Sequence, residues 1–172
     1  TRVHMPELDT EDRSHIRNEE VNLGLTPAQA MAEAQRCLDC VNPTCMEGCP
    51  VSIKIPDFIK FIETGEFLEA AKVLKMTSAL PAVCGRVCPQ EKQCESQCIY
   101  TQKLGKEAVA IGYLERFAAD YERESGQISI PDIPEKNGIK VAVIGSGPAG
   151  LSFAGDMAQR GYDVTVFEAL HE

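Results

Sequence analysis

Apolar residues recur at helical spacing in several short segments of the first 125 residues. Thr26 followed by Pro27 is typical of a helix start, because threonine caps free backbone amides and proline suits the first helical position. The pattern predicts helices over 28–36, 56–64 and 66–75. Their apolar faces predict a dry core, and the polar N-terminal segment before them predicts an arm laid over its surface.

The longest helical pattern runs from Ala108 to Arg123. Its apolar stripe comprises Ile111, Leu114, Ala118 and Tyr121. Glu115 interrupts the inner edge of this stripe, and Gly112, one turn before it, leaves space there. The glutamate is either a boundary residue paired with a neighbouring arginine or a carboxylate that approaches a metal cluster. The pattern alone leaves both interpretations open.

Two strand patterns, over 140–144 and 163–168, surround a glycine-rich turn and a helical pattern over 151–160. The turn has the sequence G-x-G-x-x-G and comprises Gly145, Ser146, Gly147, Pro148, Ala149 and Gly150. Glu168 follows the first glycine by 23 positions, at the end of the second strand. This arrangement predicts a dinucleotide site, with a pyrophosphate at the helix N-terminus and a ribose hydroxyl on the acid. The alternative is an ordinary βαβ unit with a glycine turn.

These patterns predict three parts: a helical domain over 1–125, a linker over 126–138, and a βαβ unit over 139–172. The linker is rich in glycine, proline and polar residues. A Rossmann-type domain needs several more strands, so we expect the last part to be the incomplete beginning of one. Its unpaired strand edges could pair with a second copy, which predicts a possible homodimer of this piece.

Composition excludes several classes of function. The 172 residues include 17 basic and 26 acidic side chains, giving a net charge of −9, and this argues against nucleic-acid binding through phosphate contacts. No apolar run approaches the roughly 20 residues that cross a bilayer, and no N-terminal segment resembles a secretory signal. We therefore expect a protein of the cytoplasm that has no membrane partner.

The chain has eight cysteines, in two groups of four. The first group, C-x2-C-x4-C-x3-C-P, is Cys37, Cys40, Cys45 and Cys49. The second, C-x3-C-P-x5-C-x3-C, is Cys84, Cys88, Cys94 and Cys98. Four disulfides would need an oxidising compartment, and structural zinc usually takes two tight Cys-x-x-Cys pairs, of which this chain has one.

Iron–sulfur ligation explains more of the cysteine pattern than disulfides or zinc. Thiolates reach a [4Fe–4S] cluster from a loop and from a distant residue, and a cysteine followed by proline is typical of such sites. Cys49-Pro50 and Cys88-Pro89 both have this form. The sequence therefore predicts a mainly α-helical domain with two [4Fe–4S] clusters, followed by the truncated Rossmann-like βαβ unit.

Four segments together resemble the small (β) subunit of NADPH-dependent glutamate synthase. They are the cysteine run from Arg36 to Pro50, the segments P-A-V-C-G-R-V-C-P-Q at 81–90 and A-I-G-Y-L-E-R-F at 110–117, and the turn at 145–150. The resemblance covers residues 26–172. Dihydropyrimidine dehydrogenase and NADH-dependent ferredoxin:NADP oxidoreductases share the same module.

The resemblance implies that the two clusters take ligands from both cysteine groups. It assigns one cluster to Cys37, Cys40, Cys45 and Cys98. It assigns the other to Cys49, Cys88, Cys94 and Glu115. Cys84 would then be a buried residue that binds no iron, although a cluster held only by cysteines, with Cys84 in place of Glu115, stays open.

The resemblance also implies a function in electron transfer. Hydride from NADPH would reduce FAD in domains outside this chain, and single electrons would pass through the clusters to FMN in the large subunit. That subunit would form glutamate from 2-oxoglutarate and glutamine. The alternatives are the same module in a ferredoxin:NADP oxidoreductase or dihydropyrimidine dehydrogenase, or a non-enzymatic zinc-binding interaction module. We expect no turnover from this chain alone.

Overall fold

A computed structural model describes residues 1–15 and 18–171, and this part of the chain is mainly helical with one two-stranded sheet. The helices before the sheet are α1 (Thr10–His15), α2 (Pro27–Ala34), α3 (Thr44–Glu47), α4 (Ile55–Glu63), α5 (Phe67–Lys75), α6 (Pro81–Val87), α7 (Ile99–Leu104) and α8 (Ile111–Ser125). Strand β1 (Lys140–Ile144), α9 (Pro148–Ala158) and β2 (Asp163–Phe167) follow. Parts of the predicted arm (residues 16 and 17) and of the predicted βαβ unit (residue 172) lie outside the described residues. No described helix is both long and apolar enough to cross a membrane.

The predicted start of α2 is confirmed, and its end comes earlier than predicted. The Gln29 N–H donates to Thr26 Oγ1 at 3.3 Å, and the Thr26 N–H donates to Gln29 Oε1 at 2.9 Å. This reciprocal pair satisfies amides that the first turn leaves free. The helix ends at Ala34, two residues before the predicted boundary, so Cys37 follows it in a loop.

Helix α8 begins at Ile111 and not at Ala108 as the pattern predicted. The carbonyl of Ala108, which a longer helix would use, instead accepts hydrogen bonds from Arg2 at 3.3 Å and Arg36 at 3.0 Å. The Gly112 N–H, its helical partner, donates to the carboxylate of Glu95. Side chains from distant parts of the chain therefore set the start of this helix.

The core lies between α2, α4, α5 and α8. Its fully buried large apolar side chains are Phe58, Ile55, Ile59, Ile62, Leu74 and Leu114. The rings of Phe67 and Phe117 pack edge to face with their centroids 5.0 Å apart. The rings of Phe67 and Tyr121 pack in the same way with their centroids 4.9 Å apart. Tyr121, predicted in the buried stripe, is 37% exposed and closes the rim of this aromatic group.

Two glycines allow close packing around α8: Gly85 of α6 lies against the α8 backbone, and Gly112 of α8 lies against the side chain of Gln90. A Cβ on Gly85 would lie 2.6 Å from the backbone nitrogen of Arg116. A Cβ on Gly112 would lie 2.0 Å from Cδ of Gln90, so this glutamine fills the space predicted there. The Gln90 amide also donates to the Cys84 carbonyl at 3.1 Å. The second cysteine group is thereby held against α8.

The N-terminal arm is attached to the helical domain at both ends. The Val3 N–H donates to the buried carboxylate of Glu33 at 2.6 Å. Farther along, Glu20 accepts from Arg86 and from Arg116, the latter at 2.8 Å. Backbone hydrogen bonds such as Leu8 N–H to the Val21 carbonyl, 2.8 Å, join the two limbs of the arm.

The βαβ unit buries little apolar surface. Strands β1 and β2 pair in parallel, with Lys140 opposite Asp163 and Ile144 opposite Phe167. Val143 is buried, but Ile144 is 82% exposed and Phe153 of α9 is 50% exposed. One helix covers only one face of a parallel pair. The predicted homodimer stays a prediction.

The segment 126–138 contains neither helix nor strand, and it is fastened at its start. Lys75 Nζ donates to the Ser129 carbonyl at 2.7 Å, and the Ser129 N–H donates to Glu122 Oε1 at 2.9 Å. Lys75 and Glu122 also pair with each other at 2.7 Å. The domain boundaries proposed from the sequence stay a prediction.

Gly85→Ala should destabilise the helical domain, because its Cβ would push α6 away from the backbone of α8. We expect the overpacking to cost about 1–3 kcal/mol and to lower the melting temperature measured by circular dichroism. Gly155→Ala is the matched control, since a Cβ there meets nothing within 4 Å and alanine favours a helix. Equal melting temperatures for both variants would contradict the close packing.

Candidate iron–sulfur sites and nucleotide-binding turn

Four cysteines line one cavity between the two cysteine groups. Cys37 follows α2, Cys40 lies on the loop before α3, Cys45 lies in the first turn of α3, and Cys98 caps α7 from the second group. The rest of the lining is largely apolar and comprises Leu38, Pro43, Thr44, Ile55, Pro56, Ile59, Ile99, Tyr100, Val109 and Ile111. Thr44 Oγ1 donates to the Gln97 carbonyl at 2.5 Å, which joins the two groups at this point.

Two thiols of this cavity, those of Cys37 and Cys45, are hard to ionise without a metal because their pKa values are raised. Burial raises the pKa of Cys45 to about 12, and the neighbouring charges of Cys37 and Cys98 add to the effect. Burial also raises the pKa of Cys37, with a contribution from Cys40. The sulfur atoms are therefore close enough to repel one another as thiolates. Iron would remove this repulsion, so the donor set fits a [4Fe–4S] cluster.

Three further cysteines and Glu115 influence one another in a second site. Burial raises the pKa of Cys94 to about 12, with added effects of Glu95, Cys49 and Glu115. Burial likewise raises the pKa of Cys88 to about 11, and the charges of Cys84, Glu115 and Cys49 contribute. The predicted second ligand set is therefore also brought together.

Glu115 is a buried carboxylate without a partner. It is 5% exposed, and its Oε1 has no hydrogen bond within the described part of the chain. Burial raises its pKa to about 7. The neighbouring Arg116 pairs instead with Glu20 and Asp120, at 2.8 and 3.3 Å, so the boundary-pair interpretation of Glu115 is wrong. An orphaned buried oxygen beside three thiols fits a cluster ligand.

Cys84, expected to be buried, is only partly buried, and after burial its charge contributes most to the raised pKa of Cys88. It is one helical turn before Cys88, which donates its N–H to the Cys84 carbonyl at 3.1 Å. The Ser78 hydroxyl lies 3.9 Å from Cys84 Sγ. Cys84 and Glu115 both act on Cys88, so the second cluster held only by cysteines stays a prediction beside the set that includes Glu115. The eight cysteines all lie in the described part of the chain, and none of them forms a disulfide.

No three His, Cys, Asp or Glu side chains among residues 1–15 and 18–171 converge on a point that would suit a single metal ion. A zinc ion needs its ligands gathered tightly, with Zn–S distances of about 2.3 Å.

The glycine-rich turn is built closely around its own backbone. Gly145 has φ +97°, a conformation that L side chains rarely adopt, and its N–H donates to the Phe167 carbonyl at 2.7 Å. A Cβ on Gly150 would lie 2.1 Å from the Gly145 oxygen, whereas one on Gly147 would meet nothing within 4 Å. Gly147 therefore faces open space at the start of α9, where Pro148 and Ala149 form the first turn.

Glu168 contacts the same turn. Its Oε2 accepts from the N–H and the hydroxyl of Ser146, both at 2.8 Å. Hydrogen bonds from the backbone of Leu170 and from Ser146 lower the pKa of Glu168 to about 2. The acid is therefore ionised, and it is exposed to solvent beside the glycine-rich turn.

Two buried carboxylates at the N-terminus of α8 were not predicted from the sequence. The Ala110 N–H donates to Glu33 Oε1 at 2.8 Å, and the Gly112 N–H donates to Glu95 Oε1 at 3.3 Å. Each acid pairs with an arginine, Glu33 with Arg36 and Glu95 with Arg2. The sequence contains one indication of these two ion pairs, because Arg36 directly precedes Cys37 and Glu95 directly follows Cys94.

The geometry defines a helical iron–sulfur domain followed by the start of a Rossmann-like unit, and comparison with known proteins agrees. The chain belongs to the family described as dihydropyrimidine dehydrogenase domain II, 4Fe-4S cluster, whose model matches residues 14–127. Residues 143–172 match the NAD(P)-binding Rossmann-like domain. The predicted fold class is confirmed.

Similar proteins include oxidoreductases of more than one kind. The chain is 43% identical to the glutamate synthase [NADPH] small chain of Escherichia coli K12 over 140 residues, 81% of this chain and 29% of that protein. It is 42% identical over 152 residues to the putative oxidoreductase UacF of the same strain, covering 87% and 23% of the two chains. It is 40% identical over 151 residues to the NAD-dependent dihydropyrimidine dehydrogenase subunit PreT of Escherichia coli O157:H7, covering 87% and 36%. The chain thus spans about a third or less of these relatives' length.

Retention of iron should increase with pH. Burial raises the thiol pKa values, so the metal-free fold keeps its thiols protonated at neutral pH and iron must displace those protons. Each displaced proton changes the apparent affinity about tenfold per pH unit. We expect a chelator to remove iron more readily at about pH 6 than at about pH 8. Iron loss that is independent of pH, after correction for protonation of the chelator, would contradict this mechanism.

Proposed function

We propose that this chain is the electron-transfer portion of a glutamate synthase small subunit, with two [4Fe–4S] clusters and the beginning of an FAD-binding domain. In the complete assembly, the clusters would carry single electrons from NADPH-reduced FAD to FMN of a large subunit, which forms glutamate from 2-oxoglutarate and glutamine. The cytoplasm is the proposed location, because ligand cysteines must remain reduced.

The observation that carries the proposal is the division of donors into two sets that each draw on both cysteine groups. Cys98, from the second group, lines the cavity of Cys37, Cys40 and Cys45. Cys49, from the first group, acts electrostatically on Cys94 in the other site. This is the interleaved arrangement that the glutamate synthase resemblance implies, and structural zinc pairs would not require it.

The residues of the chain would bind and insulate the clusters. Ile55, Ile59 and Ile111 exclude water from the first site, which lowers the local dielectric around the thiolates. The other buried acids already have partners: Glu33 and Glu95 bind the α8 N-terminus, and Glu122 binds Lys75. Glu115 would bind iron, so none of the four buried acids in the described part of the chain would be available for proton transfer. We therefore expect no substrate turnover from this chain alone.

The turn at 145–150 would hold the pyrophosphate of FAD. Gly147 leaves its backbone open at the N-terminus of α9, where amide groups and the helix dipole favour a phosphate. Glu168 would accept a hydrogen bond from a ribose hydroxyl after releasing Ser146. We expect weak FAD binding by this piece alone, because most of a dinucleotide cleft comes from further strands.

A second candidate function is supported by the similarity to PreT, a protein named as a dihydropyrimidine dehydrogenase subunit. The chain is 40% identical to PreT and 43% identical to the glutamate synthase chain. In that case the same clusters would serve a pyrimidine-reducing partner. A ferredoxin-linked enzyme is a further variant of this interpretation. The acceptor distinguishes these functions.

Substitution of single ligands tests the interleaved arrangement. Cys98→Ser should remove the cluster of the first cysteine group, and Cys88→Ser should remove the other, so each variant should retain about four irons of the wild type's about eight. Cys84→Ser is the matched control and should keep both clusters. The measurements are iron and acid-labile sulfide per chain and electron paramagnetic resonance of the dithionite-reduced protein. If the Cys84→Ser variant also loses about four irons, Cys84 completes the second cluster in place of Glu115.

Electron delivery tests the function itself in the full-length protein. Under anaerobic conditions, NADPH should reduce FAD and allow glutamate formation from 2-oxoglutarate and glutamine when the large subunit is added. Cys98→Ser should abolish glutamate formation while leaving NADPH-dependent reduction of FAD intact, since the block lies after the flavin. Reduction of uracil or of ferredoxin in place of glutamate formation would favour the second candidate.

A further inference from the structure

Glu95 places a buried negative charge directly beside a predicted cluster ligand. It follows Cys94 in sequence and is 6% exposed. Its Oε1 accepts from the Gly112 N–H at 3.3 Å. This one neutral donor does not balance the carboxylate charge.

Arg2, near the N-terminus and 93 positions before Glu95, balances that charge. Its Nη1 donates to Glu95 Oε2 at 2.8 Å and to the Ala108 carbonyl at 3.3 Å. The guanidinium also lies over the ring of Tyr113, 5.2 Å from its centroid. The Arg2 side chain is only 18% exposed, so the pair is shielded from water and salt.

The arm is fixed so that Arg2 reaches this position. The adjacent Val3 N–H donates to Glu33 at 2.6 Å, and Val3 and Met5 pack against the core. A second pair in the arm, Arg13 with Glu7, lies 2.5 Å apart, but its side chains are 36% and 48% exposed. Among the described residues of the arm, Arg2 is thus largely shielded beside the second site, whereas Arg13 is paired near the surface.

We propose that Arg2 sets the reduction potential of the second cluster by compensating the buried charge of Glu95 beside Cys94. The inference rests on the proposed function, because it requires the cluster to be present. Reduction adds one electron to the cluster, and an uncompensated carboxylate in a low-dielectric interior opposes the added charge. Arg2 would act on the cluster only through its ion pair with Glu95 and would not contact the iron.

The test is a redox titration of the anaerobically purified full-length protein, followed by electron paramagnetic resonance. The signal of the second cluster is the one altered in Cys94→Ser. Arg2→Gln should shift its midpoint potential to a more negative value, and Glu95→Gln should shift it to a more positive value. The double variant Arg2→Gln/Glu95→Gln should return close to the wild-type potential, because both charges are gone.

Two controls separate this effect from a general loss of structure. Arg2→Lys keeps the charge and should keep the potential within the error of the wild type. Arg13→Gln removes a charge from the same arm, away from the buried pair, and should leave the potential unchanged. Both variants should contain as much iron and sulfide as the wild type.

The possible contrary results have different meanings. A protein without iron and sulfide would overturn the proposed function, whereas intact clusters with equal potentials in wild type, Arg2→Gln and Glu95→Gln would overturn only the role of Arg2. If Arg2→Gln and the double variant both lose the second cluster, the pair is structural and the inference fails. Equal shifts in Arg13→Gln and Arg2→Gln would also overturn it.

Discussion

The burial of ionisable cluster ligands in an apolar interior is the constraint on which the helical domain depends. Burial raises the pKa of Cys45 and Cys94 to about 12, and Glu115 has a carboxylate oxygen without any partner. Such groups cost free energy unless a cation or a proton neutralises them. The apolar residues that pack around them would otherwise form an ordinary core. In the metal-free chain, protons fill this neutralising role. Iron would replace them and connect both cysteine groups, so we expect the loaded chain to be more ordered than the metal-free one.

The N-terminus of α8 joins the two sites mechanically. Glu33 and Glu95 accept from its first amides, and each acid lies next to or near a predicted ligand, Cys37 in one case and Cys94 in the other. Helix α8 itself carries Glu115. A displacement of this helix would therefore move groups of both sites, and the arginines that neutralise the acids protect its position.

Local features of the sequence were sufficient for much of the fold, whereas the two proposed ligand sets followed only from the resemblance to a known family and stay predictions. Thr26 and Pro27 gave the start of α2, and the glycine spacing gave the turn at 145–150. The start of α8 could not be predicted, because Arg2 and Arg36 take the Ala108 carbonyl from sequence separations of 106 and 72 residues. Gln90 in the space beside Gly112 and the Arg2–Glu95 pair are long-range contacts of the same kind. A periodic pattern contains information about neighbours along one helix and none about such partners.

The link between Thr44 and Gln97 has a consequence for biosynthesis. The two residues are separated by 53 positions, and the predicted ligands on either side of them belong to one cavity. At translation rates of about 5–20 residues per second, the first cysteine group leaves the ribosome roughly 3–10 s before its last partner. During that interval its thiols are exposed to oxidation or to the wrong metal. Assembly of the proposed first cluster would therefore be complete only after the nascent chain has reached Cys98.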